Sequence, residues 1–268
     1  MIRYPAVASQ FYPGDKATLQ RTLQAILPES PSPKKKALAV VSPHAGYIYS
    51  GSVAGQTFAR VAIPQTCIIL GPNHHGRGAE AALATAGIWR MPMGDVAVNE
   101  KVAQRILANS KVIREDASAH EREHSLEVQV PFLQYLQPEL AIVPICLAAL
   151  SYDDCKEIGS ALARTVSEFE EKILLVASTD MSHYESRQAA SRKDKMAIDR
   201  ILDLDPEGLY NTVFGNRISM CGIIPTTIAL IAALKLGGHQ ADLVRYTDSG
   251  EVSGDTDQVV GYAGFILS

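Results

Sequence analysis

Ala37-Leu38-Ala39-Val40-Val41-Ser42-Pro43-His44-Ala45-Gly46-Tyr47-Ile48-Tyr49-Ser50-Gly51 decides how the rest of the chain is read. The apolar residues Ala37 to Val41 run straight into a Pro-His-Ala-Gly turn, and helical periodicity follows from Ser52 to Val61. An unbroken apolar run of this length predicts a strand buried on both faces, as in a parallel sheet. Pro43 and Gly46 mark its end. His44 therefore stands just past the carboxyl end of a buried strand, where open α/β sheets gather their ligands. The layout recurs twice. Thr66-Cys67-Ile68-Ile69-Leu70 leads into Gly71-Pro72-Asn73-His74-His75-Gly76, and Ile173-Leu174-Leu175-Val176-Ala177 leads into Ser178-Thr179-Asp180-Met181-Ser182-His183. Three strand ends that deliver imidazoles to one edge suggest a metal site.

Outward from these strands, helical and strand patterns alternate. Asp15 to Leu27 reads as a helix with Leu19, Leu23, Ile26 and Leu27 on one face. Ala81 to Ala86 reads as a short strand and Trp89 to Asp95 as an irregular stretch. Asn99 caps a helix carrying Val102, Ala103, Ile106 and Leu107. Ser125 caps another that Pro131 kinks. Leu140 to Leu147 is a third buried strand, Ser151 with Asp154 opens a helix, and Ser186 to Leu202 is a charged one. Asp205-Pro206 opens a further helix, and Cys221-Gly222 precedes one over Ile224 to Leu236 that Gly237-Gly238 ends. Asp242 to Thr247 and Val259 to Leu267 are the last strands. The pattern predicts an α/β fold of three layers, αβα, around a mostly parallel central sheet. With 268 residues and no shift in composition, 1–268 is read as a single domain.

Net charge −4 and pI ≈ 6.0 give no electrostatic reason for a nucleic acid or an anionic membrane as partner. Lys34-Lys35-Lys36 follows the Pro-rich Pro28 to Pro33 and reads as a solvated linker. No segment has the apolar length of a signal peptide or a bilayer span, which predicts a cytoplasmic protein with reduced thiols. Cys67, Cys146 and Cys155 fall in apolar patterns as inert core residues; Cys221 does not.

Imidazole is the commonest protein metal ligand, completed by thiolate or carboxylate. His44 and His74, each among Pro and Gly at a strand end, are the first two candidates; His75 is expected to face away. Cys221 is the third, since the start of the following helix favours a thiolate. Asp180 and His183, three residues apart, read as an acid–base pair with the carboxylate orienting the ring. His124 and Glu127 would share one helical face near the pocket mouth. There is no Gly-x-Gly-x-x-Gly fingerprint, no phosphate loop and no Gly-x-Ser-x-Gly elbow. Nucleotide, nicotinamide and serine-hydrolase chemistries lose support accordingly.

The chain resembles the Memo family through Tyr4-Pro5-Ala6-Val7-Ala8, Phe11-Tyr12-Pro13, Pro43-His44-Ala45-Gly46-Tyr47, Tyr49-Ser50-Gly51 and Leu70-Gly71-Pro72-Asn73-His74-His75. His124-Ser125-Leu126-Glu127, Ser178-Thr179-Asp180-Met181-Ser182-His183, Cys221-Gly222 and Gly261-Tyr262-Ala263-Gly264 extend the match in the same order. The resemblance implies a fold similar to the class III (LigB-type) extradiol dioxygenases, which cleave catechols with non-haem Fe(II). It implies His44, His74 and Cys221 as ligands, with His183 as acid–base residue beside Asp180. A Cys stands where those dioxygenases place a Glu; the softer thiolate favours Cu(I) or Zn while still accepting Fe(II). The resemblance further implies protein B of the AmmeMemoRadiSam system, with radical-SAM and AMMECR-type proteins as partners. Three functions follow as expectations. The first is an iron- or copper-dependent oxidoreductase acting on a small molecule. The second is a zinc-type hydrolase. The third is a non-catalytic module that binds a peptide or partner in the old pocket.

Overall fold

The computed structural model describes residues 1–29 and 33–268, so the Ser30-Pro31-Ser32 part of the expected linker lies outside the described residues. In chain order the elements are β1 (Ile2–Arg3), α1 (Lys16–Ile26), β2 (Ala39–Ser42), α2 (Tyr47–Ala59), β3 (Thr66–Pro72), β4 (Ala81–Leu83), β5 (Ile88–Met91) and β6 (Gly94–Val98). Then come α3 (Glu100–Asn109), β7 (Arg114–Glu115), α4 (Val130–Leu136), β8 (Ala141–Leu147), α5 (Tyr152–Ser167), β9 (Ile173–Ser178) and β10 (His183–Glu185). The chain closes with α6 (Arg187–Leu202), α7 (Pro206–Gly215), α8 (Ile223–Lys235), β11 (Ala241–Asp248) and β12 (Val259–Leu267).

These strands form one sheet whose spine runs β1-β5-β6-β8-β3-β9-β2-β12-β10. The run β6-β8-β3-β9-β2 is parallel throughout, and β12 closes it antiparallel to β2. Every residue of β2, β3 and β9 is buried, as unbroken apolar runs require once helices cover both faces. On one side α2 packs with α1 and α4 against β2, β11 and β12; α8 packs with α5 and α7 against β2, β3 and β9. The strand order matters for the site. β9 enters late and lies between β2 and β3, with Ser42 level with Ser178 and Leu70 level with Ala177. The loops after β2, β3 and β9 therefore leave the sheet side by side.

Helix starts follow the capping chemistry of the sequence. Asp15, Asn99, Ser151, Ser186 and Asp205 each accept a backbone N–H of their own first turn, and Ser151 with Asp154 forms a full capping box. At the end of α8, Gly237 takes a left-handed φ of 91° and the Gly238 N–H donates to the Ala233 carbonyl at 2.8 Å.

Four local expectations need correction. Trp89 to Asp95 is not irregular: β5 and β6 pair as a hairpin, Met91 opposite Gly94, and Gly94 supplies the φ of 129° that the turn needs. Pro131 does not kink a helix, because the chain from His124 runs through a 3-10 turn, Glu127–Gln129, and Pro131 falls in the first turn of α4. Helix α2 starts at Tyr47 rather than Ser52, directly after the His44 loop. The strand expected over Ala81 to Ala86 stops at Leu83.

Candidate metal centre

His44 lies in the loop after β2 and is almost fully buried. Its Nδ1 is 2.9 Å from Ser178 Oγ. That hydroxyl donates its own proton to the Ser125 carbonyl at 2.6 Å and accepts from Gln129 Nε2 at 2.8 Å. Ser178 has no second proton to give, so His44 Nδ1 is the donor and its Nε2 carries the lone pair. That Nε2 faces Cys221 Sγ at 3.2 Å. Burial, then the neighbouring His74 and His124, hold His44 well below the usual histidine range and keep it neutral.

His74 follows β3 and is held by Glu123. One Glu123 oxygen takes the His74 Nδ1–H at 2.9 Å and the backbone N–H groups of His124 and Ser125 at 2.9 Å each. The other takes the His74 backbone N–H at 2.6 Å. A carboxylate only accepts, so His74 Nδ1 bears a proton, and in the neutral ring Nε2 carries the lone pair. Burial alone would raise the Glu123 pKa, but the bonds to His74 and the amides outweigh it and hold the group well below the usual carboxylate range. Gly71 allows this approach, because a Cβ there would meet the Ser125 and Leu126 side chains at 2.7 Å.

Cys221 reaches the cluster just before α8. Gly222 N–H donates to Thr179 Oγ1 at 2.9 Å, and a Cβ on Gly222 would run into the Ser178 carbonyl and the Thr179 side chain. The 221–222 segment is thus pressed onto the end of β9. Burial, then Asp180, push the thiol pKa up, so the neutral thiol is the protonation state here. The ligand atoms of His44, His74 and Cys221 lie within 4.8 Å of one another. Two imidazole lone pairs and one thiol whose proton a cation would replace make a donor set that fits one iron, copper or zinc ion.

The remaining expected residues divide. His124 joins the cluster: its ring stacks on His74 at 4.8 Å and meets His44 edge-on at 5.6 Å. Burial lowers its pKa to about 4. Asp180 does not orient His183. Its Oδ1 accepts the His44 backbone N–H at 2.8 Å, and its own N–H donates to Cys221 Sγ at 3.3 Å, so it clamps two candidate ligands together. Burial raises its pKa, against the pull of the His44 amide bond. His183 is held from the other side, through Nδ1–H to the Ser219 carbonyl at 2.8 Å. Glu127 is turned away from His124 and the cluster, although the segment is helical in kind, with the Val128 N–H donating to the His124 carbonyl at 3.1 Å. It binds Arg3 at 2.7 Å, Tyr12 OH at 2.5 Å and the amides of Ala6 and Val7 at 2.7 and 3.1 Å. His75 points to solvent.

Glu123, Ser178 and Gln129 were not expected at the site. Ser178 lay in the quoted strand-end motif and is the one that sequence could have offered, as a hydroxyl level with Ser42 beside His44. Between His74 and Cys221 opens a cleft of about 270 Å³ walled by Leu147, Phe214, Ile223 and Ile224.

A largely parallel α/β sheet that gathers two histidines and a cysteine at its carboxyl edge defines a candidate metal-binding α/β protein. The family model described as Memo-like protein matches residues 3–266, and the chain belongs to the Memo family. A MEMO1 family protein of Methanopyrus kandleri is 39% identical over 280 residues, covering 100% of this chain and 99% of that one. A MEMO1 family protein of Methanosarcina mazei is 39% identical over 267 residues, covering 99% of each. Among solved structures, an uncharacterized protein from Escherichia coli K12 shares the fold with a TM-score of 0.53 at 13% identity, over 86% of this chain and 100% of that chain.

Proposed function

We propose that His44, His74 and Cys221 hold one iron or copper ion, and that the protein is an oxidoreductase of dioxygenase-like ancestry acting on a small molecule. The observation that carries this reading is the matched tautomer of the two histidines. Each gives its Nδ1–H to a buried acceptor, Ser178 or Glu123, and keeps its Nε2 lone pair for a ligand role. An iron or copper ion bound there would supply redox chemistry and Lewis acidity.

The chain's own residues do the rest. Asp180 fixes the spacing of His44 and Cys221 through one accepted and one donated backbone bond. His183, with Nδ1–H tied to Ser219 and Nε2 open, is the proton acceptor we assign to the substrate. His124 backs His74 and closes the cluster towards Phe11, which meets its ring edge-on at 4.9 Å. Leu147, Phe214, Ile223 and Ile224 give the cleft apolar walls, and among the described residues no Asp, Glu, Lys or Arg lines it. A small, uncharged and largely apolar substrate suits those walls. In the same reading the protein works in the cytoplasm. Its four cysteines are free thiols, and among the described residues no helix is long and apolar enough to cross a membrane.

A zinc-type hydrolase is the second reading, favoured by the His2Cys donor set, which zinc also accepts alongside a water. Oxygen uptake separates the two. Protein loaded with iron or copper and given a panel of phenols should consume O2 above the metal-free protein, and His44→Ala should abolish the excess. No uptake above the metal-free protein, with zinc retained and ester turnover lost in His183→Ala, would replace the first reading by the second.

A further inference from the structure

A second cavity, of about 680 Å³, lies where β1 meets β5, and it shares no residue with the cleft at His74 and Cys221. Its size falls within the range of small-molecule sites. From the side chains around it we infer a ligand site for a small organic acid with an apolar, ring-sized body and a hydroxyl or amino donor. Three observations carry this.

The walls are apolar and aromatic. Trp89, the only tryptophan in the chain, is 2% exposed and lines the cavity with Tyr4, Ile88 and Ala84. The Arg3 guanidinium covers the Trp89 ring at 4.1 Å. It donates to the carbonyls of His120 and Glu123 at 2.8 and 2.6 Å and pairs with Glu127 at 2.7 Å. Its charge is answered inside the protein, and it serves the cavity as a fixed wall.

The second observation is a buried acceptor. His120, 2% exposed, also lines the cavity. Its Nε2 faces the Ala82 carbonyl at 3.2 Å, so Nε2 carries the proton and Nδ1 the lone pair. That Nδ1 is buried and, among the described residues, has no hydrogen-bond partner. Burial, then the nearby Arg3, lower its pKa to about 4, so the ring accepts a proton neither from water nor from a weak acid near neutrality. An unanswered buried acceptor is costly, and a ligand O–H or N–H would satisfy it once a turn of the His120 ring brings Nδ1 to the cavity it lines.

The third is charge at the mouth. Arg122 is exposed on the rim and has no carboxylate within ion-pair distance among the described residues, whereas its neighbour Glu121 is taken by Arg77 at 3.1 Å. A lone cation over an apolar chamber favours a carboxylate whose body enters the chamber.

The sole tryptophan makes the test direct. The full chain, labelled with 15N, is titrated with 6-hydroxy-2-naphthoate while the single indole N–H cross-peak is followed. 2-Naphthoate, which lacks the hydroxyl, and 2-naphthol, which lacks the carboxylate, are run alongside. The expected result is a saturable shift with the hydroxy acid, binding weakened about tenfold for 2-naphthol and for Arg122→Glu, and no shift in Ala86→Phe, which fills the cavity from an exposed position. 2-Naphthoate should bind more weakly than the hydroxy acid by several-fold. A shift that rises linearly without saturating, or that both substitutions leave unchanged in a well-dispersed spectrum, would overturn the site. Equal binding of all three compounds would overturn its assignment to hydroxy or amino acids.

Discussion

Glu123 and Glu127 stand four residues apart in one short segment, and both side chains are cut off from water. Around Glu123 gather an imidazole and three backbone N–H groups that belong to the loops of the candidate metal centre. Around Glu127 gather a guanidinium, a phenol and two amides that belong to the N-terminal segment. Each carboxylate is fully hydrogen-bonded, as a buried charge must be. Their uses separate: Glu123 aims a histidine, and Glu127 fastens the first residues of the chain to the sheet. A buried charge is therefore not evidence of chemistry until its partners are named.

That contrast can be broken by substitution. Glu127→Ala leaves Arg3 as an uncompensated buried cation, and we expect it to lower the unfolding free energy by about 3–5 kcal/mol. Urea denaturation measures this, and the metal content of the folded fraction should stay that of the parent. A stable Glu127→Ala protein without metal would reverse the two roles.

Acid sharpens the same point on the Arg3 side of the molecule. The buried His120 has its pKa lowered to about 4 from an ordinary 6.5. Between those values the unfolded chain binds a proton that the folded chain refuses, so stability falls as pH drops from 6.5 towards 4. The loss reaches about 3 kcal/mol for this one group. In His120→Gln the difference in unfolding free energy between pH 7 and pH 4 should shrink by that amount. His44 and His124 act in the same direction and remain in the variant, so only the difference between the two proteins is diagnostic.

Glu123→Gln should act on the other side. With the carboxylate gone, His74 is free to rotate and change tautomer, and metal affinity should fall about 10- to 100-fold. A competition titration against a chelator reads this, and far-ultraviolet circular dichroism should stay that of the parent. The smallest effect is expected far from both carboxylates: Ser151→Ala removes one half of the α5 capping box and should cost about 1 kcal/mol with no change in metal binding.

The sequence made the frame of the molecule legible because burial on both faces leaves a plain signature. Val40-Val41, Ile68-Ile69-Leu70 and Leu174-Leu175-Val176 have no polar alternation to misread. The polar caps Asp15, Asn99, Ser151, Ser186 and Asp205 marked their helices for the same local reason. The hairpin at Trp89 was missed because its turn, Pro92-Met93, has none of the usual Asn-Gly chemistry, and its Arg90–Asp95 pair faces solvent. Within the site, His44, His74 and Cys221 were readable from strand ends and a helix start. Glu123 was not, since an acid in a polar stretch has no period to betray it. Glu127 was misassigned because its partners, Arg3, Tyr12 and the Ala6 and Val7 amides, lie far away in sequence and leave no local mark. Long-range partners such as Arg3 and Glu127, or His44 and Ser178, arise only from the sheet order.

The central claim is that two imidazoles and one thiol share a cation. Elemental analysis of untagged protein, purified without added metal, tests it most directly when run beside Cys221→Ala. The account predicts about one equivalent of iron, copper or zinc per chain in the parent protein and at least tenfold less in the variant. A parent protein without metal, or a variant that keeps it equally, would contradict the account.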